Sequence, residues 1–247
     1  MNRICVEVCA GSIADAIAAS EAGADRIELN SALQLGGLTP SHALIQKTVS
    51  LGSIRTIVMV RPRAGGFNYS LDDWRMLCLD AESALSLGAR GIAFGCLTAD
   101  RQIDLRRVTE IVRLAGDSET VFHRAFDLTA NWQDSIKQLI DSGVTRVMSS
   151  GQQNTAMAGA ETLADMIQKF GNQIEILPAS GINAGNVAEL VKKTGAAQIH
   201  GSFSKPQSDP GYDSGPIRFA TNDQIRAADP DLIRTVIAIV NGQSGTA

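Results

Sequence analysis

An apolar, β-branched run followed by an amphipathic stretch recurs eight times along the 247 residues, and this alternation constrains the fold more than any single motif. The strand-like runs are Ile4–Val8, Ile27–Leu29, Ile54–Val60, Gly91–Phe94, Thr120–Phe122, Thr145–Met148, Gln173–Leu177 and Ala197–Ile199. Helical spacing predicts helices over Ile13–Glu21, Ala43–Ser50, Trp74–Leu87 and Leu105–Leu114. It does so again over Trp132–Ile140, Ala160–Phe170, Val187–Lys193 and Gln224–Val240. A weak repeat of Gly23-Ala24-Asp25, Gly88-Ala89-Arg90, Gly143-Val144-Thr145 and Gly195-Ala196-Ala197 marks helix-to-strand turns, where a left-handed C-cap favours glycine. Alternation with short connections implies parallel strands and right-handed crossovers. Eight units favour an α/β fold closed as a single (β/α)8 TIM barrel spanning residues 1–247. An open doubly wound sheet is the alternative, but no G-x-G-x-x-G follows the first strand.

Composition narrows the function classes. A formal charge of -4 and a pI near 5.4 give no support for nucleic-acid binding, which needs clustered Lys and Arg. No apolar run is long enough to span a bilayer, and the first ten residues read as a strand rather than a leader. A cytoplasmic location is therefore expected, with Cys5, Cys9, Cys78 and Cys96 mostly reduced.

In a barrel of this kind the loops after the strand C-termini carry function. Three such loops are Leu35–Pro40, Arg61–Phe67 and His123–Asp127, and Ser149–Gln152 and Ser180–Asn183 follow strands 6 and 7. The last connection, Gly201 to Asn222, is long, polar and aperiodic, and reads as a lid or a disordered surface segment.

Strand alternation puts Cys5, Glu7 and Cys9 on one face of strand 1, and Arg26, Glu28 and Asn30 on one face of strand 2. Carboxylates within burying strands need partners, and Arg61, Arg63, Arg124 and His123 are the expected ones. Two readings stand: a structural ion-pair layer, or an acid/base and anion-binding site. In the second, Glu7, Glu28, His123 and Asp127 are the catalytic candidates, and Arg61, Arg63 and Arg124 hold an anion with help from Ser150 and Gln152. Asp127 would orient His123 or cap the next helix. His123 and His200 end strands 5 and 8, whereas His42 is expected at the surface. Ser180-Gly181 and Gly201-Ser202 follow strands 7 and 8, where barrels bind phosphate through backbone N–H groups.

Metal spacing is less favourable. Cys5 and Cys9 lie roughly 13 Å apart on an extended strand and cannot chelate one ion. Cys9 and Cys96 both end strands, which leaves a two-cysteine site across the rim as the metal candidate. For Cys5 and Cys78 the expected role is that of small buried hydrophobes.

Six blocks together resemble the signature of the CutC family: Val6-Glu7-Val8-Cys9, Gly23–Leu29, Gly36–Ser41, Arg61-Pro62-Arg63, Phe122–Asp127 and Ser150-Gly151-Gln152. They run in the family's order from strand 1 to strand 6, and the match weakens after about residue 180. The resemblance implies a cytosolic barrel associated with copper homeostasis, commonly homo-oligomeric, with copper(I) binding proposed for some members. Two departures stand out. Asn30 occupies a position where members often carry cysteine, so Cys9 is the remaining thiolate, and the rim loop reads PRAGGF where PRGGDF is more usual.

Three functions follow for testing. One is a copper-handling protein using Cys9. Another is an isomerase- or lyase-type enzyme acting on a small anionic or phosphorylated metabolite, and the third is a scaffold whose charges only satisfy one another.

Overall fold

A computed structural model describes residues 3–207 and 225–242. Eight parallel strands form its sheet: β1 (Cys5–Ala10), β2 (Arg26–Leu29), β3 (Arg55–Met59), β4 (Gly91–Phe94), β5 (Glu119–Phe122), β6 (Arg146–Ser149), β7 (Glu175–Pro178) and β8 (Gln198–Gly201). Their order is β7-β6-β5-β4-β3-β2-β1-β8, and β7 abuts β8 to bring the barrel nearly to closure. Across that last gap Gln198 Nε2 donates to Glu175 Oε2 at 3.1 Å. Eight helices alternate with the strands: α1 (Ile13–Glu21), α2 (His42–Val49), α3 (Leu71–Ser86), α4 (Leu105–Ala115), α5 (Trp132–Asp141), α6 (Ala160–Phe170), α7 (Val187–Thr194) and α8 (Pro230–Val240). The sequence-predicted (β/α)8 barrel is the fold.

Alternation along each strand sorts two cores. Outward-facing Val6, Val8, Ile27, Leu29, Ile92 and Phe122 are fully buried beneath the helices. Inward-facing Ile57, Met59, Ala93, Val121, Met148, Leu177 and Ala179 form a separate cluster that fills the lumen side of β3 to β7. Arg146 on β6 is buried too, but most of the buried polar strand residues sit on the remaining arc, β8, β1 and β2, which carries Glu7, Arg26, Glu28, Gln198 and His200. That asymmetry positions the site.

The four αβ-turn glycines adopt the left-handed conformation expected of them, with φ of +82°, +93°, +80° and +70° at Gly23, Gly88, Gly143 and Gly195. Two boundaries differ from the sequence reading. Helix α3 begins three residues earlier than predicted, because Ser70 and Asp73 form a reciprocal capping box ahead of Leu71. The predicted helix Gln224–Val240 starts only at Pro230, capped by Asp229. Ahead of it, β10 (Ile225–Ala228) pairs antiparallel with β9 (Ser204–Gln207), two strands inside or beside the stretch read as an aperiodic loop. Most of that expected loop, residues 208–224, lies outside the described residues.

Candidate functional site

Three neighbouring strands bring Cys9, Glu28 and His200 together at the C-terminal mouth of the lumen. Pairing sets Cys9 opposite Glu28, and Glu7 opposite both Arg26 and His200. One ligand-type atom from each of Cys9, Glu28 and His200 lies within 4.8 Å of the others, and this is the one such group of three among the described residues. Asn30, two residues beyond Glu28 on the same face, donates from Nδ2 to Cys9 Sγ at 3.5 Å and to Glu28 Oε2 at 3.0 Å.

Beneath this trio runs a buried charge network. Glu7 pairs with Arg26 through Oε2 and receives His200 Nδ1 on Oε1 at 2.7 Å. Arg26 Nη2 reaches Gln198 Oε1 at 2.7 Å, and Gln198 passes the chain to Glu175. Arg146 then donates to Glu175 at 2.6 Å and to Glu119 at 2.8 Å. Burial alone would neutralise Glu7, but Arg26 and His200 outweigh it and hold the carboxyl down at about 2. No arginine among the described residues pairs with Glu28, and burial raises its carboxyl above the usual range despite His200 nearby. Burial pushes the Cys9 thiol up as well. For His200 burial opposes the charged form, yet contacts with Cys9, Glu28 and Glu7 raise it well above the ordinary imidazole value. The imidazole is thus oriented by Glu7 on one nitrogen, and its Nε2 faces Glu28 Oε2 at 3.9 Å.

The expected partners of Glu7 and Glu28 are elsewhere. Arg61 is buried, donating to the carbonyls of Leu35 at 3.0 Å, Gly37 at 2.9 Å and Gly65 at 2.7 Å, so it clasps its own rim loops. Arg63 ties the same loop to Asp73 at 2.8 Å and to Asn68. His123 packs at a tilt against Phe67, with ring centroids 5.0 Å apart. Its Nδ1 accepts from the Ala125 N–H at 3.1 Å, which leaves the proton on Nε2, a buried atom with no partner among the described residues. Burial, reinforced by Arg61, depresses its pKa to about 3, so the ring stays neutral.

Asp127 neither orients His123 nor caps a helix. It accepts from Ser149 Oγ at 2.6 Å, the Ser150 N–H at 3.1 Å, the Gln152 N–H at 3.2 Å and Arg124 Nε at 2.9 Å, riveting the β5 and β6 loops together. Arg124 reaches Ser150 Oγ at 2.9 Å, and Gln152 Nε2 donates to the Thr129 carbonyl at 2.6 Å. Ser180 Oγ is likewise committed to the Asn154 carbonyl at 2.8 Å, while Ser202 is exposed beside Gly181.

The Cys9–Cys96 pairing is overturned by strand parity. Gly95 faces His123 inside the barrel, so Cys96 points outward into the helix-facing core, 4.0 Å from the Asp104 carbonyl. His42 is exposed, as expected. The sequence reading missed Arg26 and Gln198 as the interior partners, although both lie two residues before residues it singled out. It also missed that Asn30 supplies a donor to Cys9.

A (β/α)8 barrel with a Cys–Glu–His mouth above an ion-paired lumen is the class that fold and site define. The model of the CutC family matches residues 4–205, and the chain belongs to that family. A CutC family protein of Treponema denticola is 39% identical over 96% of this chain and 99% of its own length. One from Mesorhizobium japonicum is 40% identical over 79% of this chain and 76% of its own. Among solved structures, a Streptococcus agalactiae CutC that carries the name copper homeostasis protein superposes with a TM-score of 0.77 at 30% identity, covering 81% of this chain and 98% of its own. A thiamine phosphate pyrophosphorylase from Pyrococcus furiosus, 14% identical with a TM-score of 0.62, shares the fold alone. No helix among the described residues is long and apolar enough to cross a membrane.

Proposed function

We propose that this chain binds a single copper ion through Cys9, His200 and Glu28 and serves copper homeostasis. The observation that carries the reading is the convergence of one thiol, one imidazole and one carboxylate within 4.8 Å. The donor set fits a metal. Glu7 holds His200 by Nδ1, which aims Nε2 as a ligating histidine requires, and Glu28 Oε1 is buried without a partner among the described residues. With one thiolate rather than two, the set is harder than copper(I) prefers and accommodates copper(II) or zinc as well. Asn30 is the residue responsible.

Anaerobic competition titrations with copper(I), and parallel titrations with copper(II) and zinc, test this on the wild type, Cys9→Ala and Glu28→Gln. One equivalent of copper lost in Cys9→Ala is the expected result, with Glu28→Gln weakening the divalent ions more than copper(I). Binding that ignores both substitutions would remove copper from this site.

A second reading is favoured by one observation. Among the described residues nothing pairs with Glu28 Oε1 or His123 Nε2, a buried acceptor and a buried donor such as a small ligand would require. In that reading the chain is an isomerase- or lyase-type enzyme, with Glu28 moving a proton and Arg124 at the rim meeting the anion. A thermal-shift panel of anionic metabolites separates it from the copper reading. The chain is also proposed to be cytoplasmic, which cell fractionation tests, and a homo-oligomer, which sedimentation of the purified protein tests.

A further inference from the structure

A crevice of about 210 Å³ lies away from the Cys9–His200 trio, between the loops that follow β7 and β8 and the flank of α8. Its lining is divided. Ile182, Phe203 and Leu232 supply an apolar wall, and Ser202, Ser204 and Arg226 supply the polar one. Among the described residues that line it, Arg226 is the charged one and none is a carboxylate. The guanidinium is not loose: Nε donates to Ser204 Oγ at 3.2 Å, Nη2 donates to the Ser204 carbonyl, and Ser204 Oγ in turn meets Ser202 Oγ at 3.2 Å. A cation and two hydroxyls are thereby aligned along one side of the crevice.

Both loops are set in advance. Ser180 and Phe203, one on each loop, have φ of +84° and +42°, unusual for residues with a side chain. Ser180 is held there by its hydroxyl on Asn154 and by the Ala156 N–H, which donates to its carbonyl at 2.9 Å. Phe203 is held by the Asp229 N–H at 2.9 Å, and its ring lies so close over Gly201 that a Cβ there would meet it at 2.6 Å. Gly181, which lines the crevice, has φ of +70°, and a Cβ on it would meet Thr155 Cγ2 at 2.9 Å. The helix end contributes nothing directly, since Asp229 already occupies the first N–H groups of α8. An anion here would be held by Arg226, the serine hydroxyls and loop amides.

We infer that this crevice binds the phosphate group of a small phosphomonoester whose organic part rests on Ile182, Phe203 and Leu232. The guanidinium and hydroxyl donors match a tetrahedral oxyanion, and the position after strands 7 and 8 is where barrels commonly carry such a group. The site is separate from the copper reading and stands or falls without it.

Titration of the isotope-labelled full chain with inorganic phosphate, phenyl phosphate and benzoate, followed by amide chemical shifts, provides the test. Saturable shifts confined to the 181–184 and 202–204 amides are expected, with phenyl phosphate tighter than phosphate and benzoate weakest. Arg226→Gln, on an exposed side chain, should weaken both phosphates by about tenfold or more. Leu232→Ser should weaken phenyl phosphate and spare inorganic phosphate, and Cys9→Ala should change neither. Unchanged phosphate affinity in Arg226→Gln, shifts elsewhere on the barrel, or benzoate binding as tightly as phenyl phosphate would overturn the assignment.

Discussion

His123 and His200 occupy the same barrel and shift in opposite senses, because burial and then Arg61 disfavour a charge on the first, while Cys9, Glu28 and Glu7 favour one on the second. His123 has a folded pKa near 3, below its unfolded value, so the stability its neutrality supplies is present above about pH 6.5 and lost as the pH falls toward 3. His200 has a folded pKa above its unfolded value, so its contribution is whole below about pH 6.5 and is lost as the pH rises through the folded value. His42, the third histidine, is exposed on α2. Stability should therefore peak near neutrality, with each limb approaching about 1.4 kcal/mol per pH unit while one group titrates. Below about pH 4.5 the loss of Glu7, held down at about 2 by Arg26 and His200, steepens the acid limb. Urea midpoints measured across pH check this. His123→Asn should flatten the limb below neutrality and His200→Asn the limb above it, and an unaltered profile in both would refute the assignment.

The loop from β6 to α6 shows how an element can depend on two residues without side chains. Gly151 has φ of +69°, and a Cβ on it would sit 2.3 Å from the Gly159 carbonyl oxygen; a Cβ on Gly159 would sit 2.0 Å from that of Ser150. This close approach folds the Ser149–Gln152 segment back over Asp127, which gathers three of its donors. The Ser150-Gly151-Gln152 block thus ties the rim loops together through Asp127 and Thr129. Gly151→Ala combines a positive φ with a backbone clash and should cost about 3 kcal/mol, seen as a lower urea midpoint with an unchanged m-value. A cost below about 0.5 kcal/mol would mean that the rim relaxes freely.

Closure of the whole molecule depends on its two ends meeting. β1 pairs with β8, the Ile4 N–H donates to Asn241 Oδ1 at 2.7 Å, and the Ala228 N–H donates to Asp15 Oδ1 at 2.8 Å. Ile233 and Val236 of α8 are buried against this seam. Burial of one such side chain contributes about 1.5–3 kcal/mol, against a net stability of about 5–15 kcal/mol for a typical domain. A chain ending at Ala228 loses the Asn241 bond and the buried Ile233 and Val236 together. It should lack a cooperative thermal transition, measured by calorimetry on freshly purified protein. A sharp transition near that of the full chain would show that α8 is dispensable.

The sequence by itself determined the barrel, because eight period-2 runs alternating with helical ones leave few ways to bury both patterns. Alternation within β1 and β2 also made Glu7 and Cys9, and Glu28 and Asn30, legible as sharing one face of each strand, and the ordered blocks made the family legible. Pairing was decided only in three dimensions. Glu7 and His200 are 193 residues apart and meet because β1 hydrogen-bonds to β8, while Arg61, near in sequence to the rim motifs, is consumed by three carbonyls of its own loops. Strand-end position alone could not distinguish Cys9 from Cys96, since a one-residue difference in parity sends one thiol to the lumen mouth and the other into the outer core. The sequence sets which faces must be buried; register and closure decide which charges then have each other for company.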